Sequence, residues 1–121
     1  MESFRKVKFL LRFEGAFYLF IGLWPLLHLP SFLRVTGGKT DLWLVVTVGA
    51  LLTLYGVSFL IESRNLIISK SMMCLGIATP LLLLWIDVYY VYSGVISAIY
   101  IVDALIENII VLSWLLIILA R

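Results

Sequence analysis

The chain has 121 residues, 64% of them hydrophobic and only 13% charged, with a mean hydropathy of +1.16 and a formal net charge of +2. A water-soluble domain needs about 25% charged residues to hydrate its surface, so this composition excludes one and points to an integral membrane protein. The small excess of positive charge, gathered at one end of the chain, also excludes nucleic acid as a partner.

Crossing a hydrocarbon core of about 30 Å takes about 20 apolar residues. Four stretches meet that length: 9–29, 42–61, 71–92 and 95–120. The first follows Arg5, Lys6 and Lys8 and resembles a secretory signal in that respect alone. Its apolar stretch is too long, it contains Arg12 and Glu14, and no small-residue cleavage pattern follows, so it is expected to remain as an anchor. On its helical stripe lie Glu14, Tyr18, Ile21, Pro25 and His28, flanked by Gly15 and Gly22.

The first connection, 30–41, holds Gly37 and Gly38. Gly38-Lys39-Thr40 imitates the end of a phosphate-binding loop, but that motif needs a glycine five positions before Gly38, where Leu33 stands, so the nucleotide reading is rejected. Phe32, Leu33 and Val35 predict a segment lying on the membrane surface, and Asp41 is placed to cap the second span. On that span Val46, Gly49, Thr53, Gly56 and Leu60 form the inward stripe, the glycines allowing close helix approach.

After a polar connection over 62–70, the third span presents Gly76, Thr79, Leu83, Asp87 and Tyr90, with Pro80 expected to bend the helix. A minimal Ser93-Gly94 break leads into the fourth. Its inward stripe reads Ile96, Tyr100, Asp103, Glu107, Ile110 and Trp114, and the opposite side carries only Ala98, Val102, Leu105, Ile109, Leu112 and Leu116. The expected fold is therefore all-α, a single four-helix transmembrane bundle over 1–121, since nothing alternates like a barrel strand.

Basic residues set the orientation. With a cytoplasmic N-terminus, Arg5, Lys6, Lys8, Arg12, Arg64, Lys70 and Arg121 fall inside, and only Arg34 and Lys39 fall outside. Both termini are thus expected in the cytoplasm. Trp24, Trp43, Trp85, Tyr89, Tyr90, Tyr92 and Tyr100 then gather toward the outer interface.

The chemistry-bearing signal is Asp103 with Glu107. Carboxylates four residues apart share a helix face, and an ionised group at the bilayer centre costs at least about 2.5 to 3.5 kcal/mol. No lysine or arginine lies at their depth, so the pair is expected to be protonated or held by hydroxyl groups, for which Tyr18, Thr53, Thr79 and Tyr100 are the candidates. Asp87 either extends this site outward or sits among the headgroups. Glu14, shallower by the 9–29 boundary, is expected to meet a basic residue at the cytoplasmic face rather than Glu107, and His28 to be an interfacial histidine.

One cysteine, Cys74, and one histidine, His28, exclude disulfide exchange within the chain and haem held by two histidines. The expectation is a protein without metal or cofactor. An enzyme ranks below the other readings, because acids are present without a nucleophile, a metal set or a cofactor motif.

The run Gly22-Leu23-Trp24-Pro25-Leu26-Leu27-His28, then Ser31-Phe32, Val35-Thr36-Gly37, Lys39, Asp41, Trp43-Leu44-Val45 and Val48-Gly49, with Asp103-Ala104 and Glu107 near the end, resembles a group of small bacterial four-span integral membrane proteins. The resemblance implies the cytoplasmic membrane of a bacterium and implies no activity. In architecture alone the chain is also similar to four-helix sterol-isomerase and sigma-2-type proteins, which hold cationic amphiphiles against buried acids.

Two functions remain open at this point. One is a bundle that binds a small cationic, amphipathic or lipid-like ligand at Asp103 and Glu107, with proton coupling. The other is an accessory subunit of a larger membrane complex or a homo-oligomer, whose acid stripe or small-residue faces contact another chain. The orientation is tested by thiol labelling in a background without Cys74. Gly38→Cys should react with an impermeant reagent from outside while Asn65→Cys stays protected, and the opposite pattern would overturn it.

Overall fold

The computed structural model describes residues 2–119, within which every regular element is a helix. Met1, Ala120 and Arg121 lie outside the described residues, and with them the end of the expected fourth span and one of the seven basic residues of the orientation count. The helices are α1 (Glu2–Leu27), α2 (Leu29–Thr36), α3 (Leu42–Glu62), α4 (Lys70–Tyr92) and α5 (Tyr100–Leu119). Four of them, α1 from Phe4 onward, α3, α4 and α5, are long and apolar enough to cross a membrane.

Two boundaries differ from expectation, and each has a local cause. The first long helix starts well before residue 9, because Phe4, Val7 and Leu10 continue its apolar face between the basic residues, and Val7, Leu10 and Leu11 are buried. It ends at Leu27, where Pro30 cannot continue the ladder. His28 takes a non-helical conformation there and its imidazole accepts from the Ser31 amide, starting α2. The segment expected on the membrane surface is thus a helix, with no buried residue.

The fourth span begins at Tyr100 rather than Val95. Gly94, at φ +76°, lets the chain reverse: its amide bonds to the Val91 carbonyl while the Val95 amide bonds back to Tyr90. This is the glycine-centred closure common at helix C-termini. A further turn over Ser97 to Ile99 is then needed before α5 winds. Asp41 stands at the start of α3 as expected, but its side chain makes no capping bond.

α1 and α3 form an antiparallel pair held backbone to backbone. A Cβ on Gly22 would stand 2.6 Å from both the Gly49 carbonyl oxygen and the Thr53 nitrogen, and one on Gly56 would stand 2.6 Å from the Leu19 nitrogen. Side chains longer than hydrogen cannot be accommodated there, so the expected packing role of Gly49 and Gly56 holds, with α1 as the partner. α4 and α5 form the second antiparallel pair, where Gly76 receives the Trp114 ring, 2.7 Å from where a Cβ would lie. α4 runs unbroken through the buried Pro80.

The two hairpins meet chiefly along α1 and α5, and α3 touches α4 only lightly. The apolar core, Val7, Leu10, Leu11, Tyr18, Phe59, Ile110, Trp114 and Ile117, lies along that seam and toward the end of the bundle where α1 begins. The outer positions of α5 expected to face lipid, Val102, Leu105, Ile109, Leu112 and Leu116, are all exposed. Val46 and Tyr90, expected inward, are exposed as well.

Replacing Gly22 by alanine tests the α1–α3 contact. The added methyl would press on the Gly49 and Thr53 backbone as well as on the Thr53 hydroxyl, so thermal stability in detergent should fall by about 1 to 3 kcal/mol, the usual range for overpacking. Gly38, around which nothing lies within 4 Å, should accept alanine with no change in melting temperature. Equal melting of the Gly22→Ala variant and the parent would mean that the two helices are not in backbone contact.

Candidate functional site

Four carboxyl groups converge on the seam between the hairpins. Glu14 and Glu107 are wholly buried and Asp87 nearly so, while Asp103 is half-buried. The ionisable neighbours of Glu107 are the other three acids, Asp103, Glu14 and Asp87. None is neutralised by a basic side chain within the described hydrogen bonds.

Their partners form a file along the seam. Nearest the end where α2 lies, Asp87 of α4 and Asp103 of α5 are neighbours across the two helices. One turn further along α5, the Tyr18 hydroxyl donates to Glu107 Oε2 at 2.8 Å, joining α1 to α5. Deepest, Trp114 Nε1 donates to Glu14 Oε1 at 2.9 Å, joining α5 back to α1. Below this pair Val7, Leu10, Leu11 and Ile117 close the seam with apolar side chains.

Each donor is held in place by packing. Tyr18 is wholly buried, its ring 6.1 Å from that of Phe59 on α3, and Trp114 lies on Gly76 of α4. Three buried oxygens nonetheless have no hydrogen-bond partner: Glu14 Oε2, Asp87 Oδ2 and Glu107 Oε1. A buried polar atom left unpaired costs about 1 to 3 kcal/mol, so these three are where a ligand, a proton or water would gain most.

Of the residues expected at the site, Asp103, Glu107, Asp87 and Tyr18 are brought together. Thr53 is not: its hydroxyl donates to the Gly49 carbonyl of its own helix at 2.8 Å, within the α1–α3 contact. Thr79 is half-buried on α4 and makes no side-chain hydrogen bond to an acid among the described residues. Tyr100 begins α5 on the stripe of Asp103, but its ring faces the Lys39 ammonium, 5.3 Å away. His28 is exposed at the start of α2, bonded to Ser31.

Glu14 and Trp114 belong to the site and were not placed there by the sequence. The expectation that Glu14 meets a basic residue is corrected by its bond to Trp114. The depth estimate explains the difference. With the span beginning at Phe4, Glu14 lies about 15 Å from its start at roughly 1.5 Å per residue. Glu107 lies about 18 Å from Leu119 on the same scale, so Glu14 comes to within a helical turn of the level of Glu107.

No three His, Cys, Asp or Glu side chains among the described residues are close enough to hold one metal ion. The acids are strung along the seam rather than gathered in a coordination sphere. A separate groove of about 250 Å³ opens between α3 and α4, lined by Leu51, Leu54, Tyr55, Ser58, Phe59, Met72 and Leu75. None of the acids reaches it, and Phe59 separates it from Tyr18. Comparison with protein-family models, with curated proteins and with solved structures gives no match.

Proposed function

We propose that the acid file binds a small organic or amphipathic cation within the membrane and that protons neutralise its carboxyls when the cation is absent. The observation that carries this reading is the set of three buried, unpartnered carboxyl oxygens with no basic side chain to match them. Buried charge without a partner is costly, and an incoming cation supplies the missing partner. Tyr18 and Trp114 each donate to one oxygen of an acid, and the second oxygen of each acid is the one left for a cation. Spacing along a file favours an extended molecule over a single ion.

On this reading the α2 end faces outward from the cytoplasmic membrane of a bacterium, with both termini in the cytoplasm. Entry is from the α2 end, because the opposite end is filled by Val7, Leu10, Leu11 and Ile117. Proton release accompanies binding, since each carboxyl that pairs with the cation gives up its proton.

Tetraphenylphosphonium binding, followed by calorimetry in two buffers of different ionisation heat, tests the proposal. The parent should bind with release of protons to the buffer. Glu107→Gln should weaken binding about tenfold, equivalent to about 1.4 kcal/mol, and reduce the proton release, with Asp103→Asn acting in the same direction. A Gln variant that folds and binds as tightly as the parent, with unchanged proton release, would overturn the pocket and favour an accessory subunit whose acids lock its own bundle.

A further inference from the structure

The acid file has a cap that its own chemistry does not require. Lys39, in the connection between α2 and α3, donates to Thr36 Oγ1 at 2.9 Å and to the Gly37 carbonyl at 3.0 Å. Its ammonium also lies 5.3 Å from the centre of the Phe32 ring and 5.3 Å from that of Tyr100. Two hydrogen-bond acceptors and two aromatic faces make a cage for an ammonium group.

The contacts with Thr36, Gly37 and Phe32 are local and by themselves describe a cation at a helix C-terminus. Tyr100 is different. It opens α5, belongs to the other hairpin, and lies one turn before Asp103 on the face that carries Glu107. The same crossing is made at Gly37, where an added Cβ would stand 3.3 Å from the Ser97 Cβ in the α4–α5 connection. Phe32 is fixed from behind by Trp24 of α1, ring centroids 5.5 Å apart and edge to face, while Trp24 Nε1 donates to Ser31. One wall of the cage therefore belongs to the α1–α3 hairpin and the other to the α4–α5 hairpin, over the end of the acid file.

We propose that the cage of Phe32, Tyr100, Thr36 and Gly37 is a cation-recognition site whose resident ammonium, Lys39, latches the two hairpins shut over the acids. An incoming ammonium or other organic cation competes with Lys39 for the cage before it reaches Asp103. The hairpins touch only lightly elsewhere than along α1 and α5, so release of Lys39 frees this end while the glycine contacts keep each hairpin intact. The purpose given to the latch rests on the cation reading above, but its existence does not, and labelling without any ligand tests it separately.

In a background with Cys74 replaced by alanine, Asp103→Cys places a thiol under the latch, and Ala104→Cys provides a second position should the first fail to fold. Each is treated in detergent with a trimethylammonium-bearing and with a neutral methanethiosulfonate reagent. Adding Lys39→Gln should raise the rates of both reagents about tenfold, the factor equivalent to about 1.4 kcal/mol of lost closure, and Tyr100→Leu should do the same with Lys39 intact. Lys39→Arg, which keeps a cation in the cage, should leave the rates near the parent value. Unchanged rates, or a rise confined to the charged reagent, would overturn the latch. Accelerated labelling together with absent tetraphenylphosphonium binding would retain the latch and overturn only the cation pocket.

Discussion

The structure depends on one constraint: four carboxyl groups are enclosed between apolar helices with no basic side chain at their level. In such surroundings an ionised acid is tolerated only with a partner, and the chain supplies neutral donors instead, a phenol to Glu107 and an indole to Glu14. Each of these bonds joins two helices. The acids are therefore the polar ties of the seam as well as its weakness, because three of their oxygens remain unsatisfied. A purely structural network gains nothing from leaving those atoms unpaired.

Around this seam the packing divides the molecule in two. Glycine contacts bring α1 and α3 together so closely that no methyl group fits, and Gly76 seats Trp114 between α4 and α5. Each hairpin is closely packed within itself. Between them the polar file, the apolar closure at one end and the Lys39 cage at the other are what hold the parts together. An interface built this way is suited to opening without unfolding, which is what access to a buried acid requires.

Much of this was legible in the residues. The spacing of Asp103 and Glu107, set against an unbroken apolar opposite face, identified both the inward side of α5 and the unusual chemistry on it. Gly49 and Gly56 announced a close helix contact. What could not be read was register across helices. Glu14 was misplaced because the basic residues near the N-terminus suggested a later start to the span, and a shift of about five residues moves a side chain by roughly 8 Å along the axis. A depth estimate corrected for the apolar face of Phe4, Val7 and Leu10 would have brought Glu14 to within a helical turn of the level of Glu107. Thr53 reads as a hydroxyl partner for the acids, yet its hydroxyl donates to the carbonyl four residues back. Tyr100 faced the wrong partner for a different reason: nothing in the local sequence shows that the connection after α2 folds across the second hairpin.

The central claim is that the buried acids are neutralised by protons until a cation arrives, and the Asp87–Asp103 pair offers the most direct view of it. Infrared spectra of the protein in lipid bilayers distinguish a protonated carboxyl from a carboxylate by the position of the C=O stretch. The account predicts a protonated-carboxyl band at neutral pH that shifts in deuterated water, is diminished in the Asp87→Asn and Asp103→Asn variants, and weakens on addition of tetraphenylphosphonium. Spectra showing only carboxylates in the absence of cation, unchanged by either substitution, would contradict it.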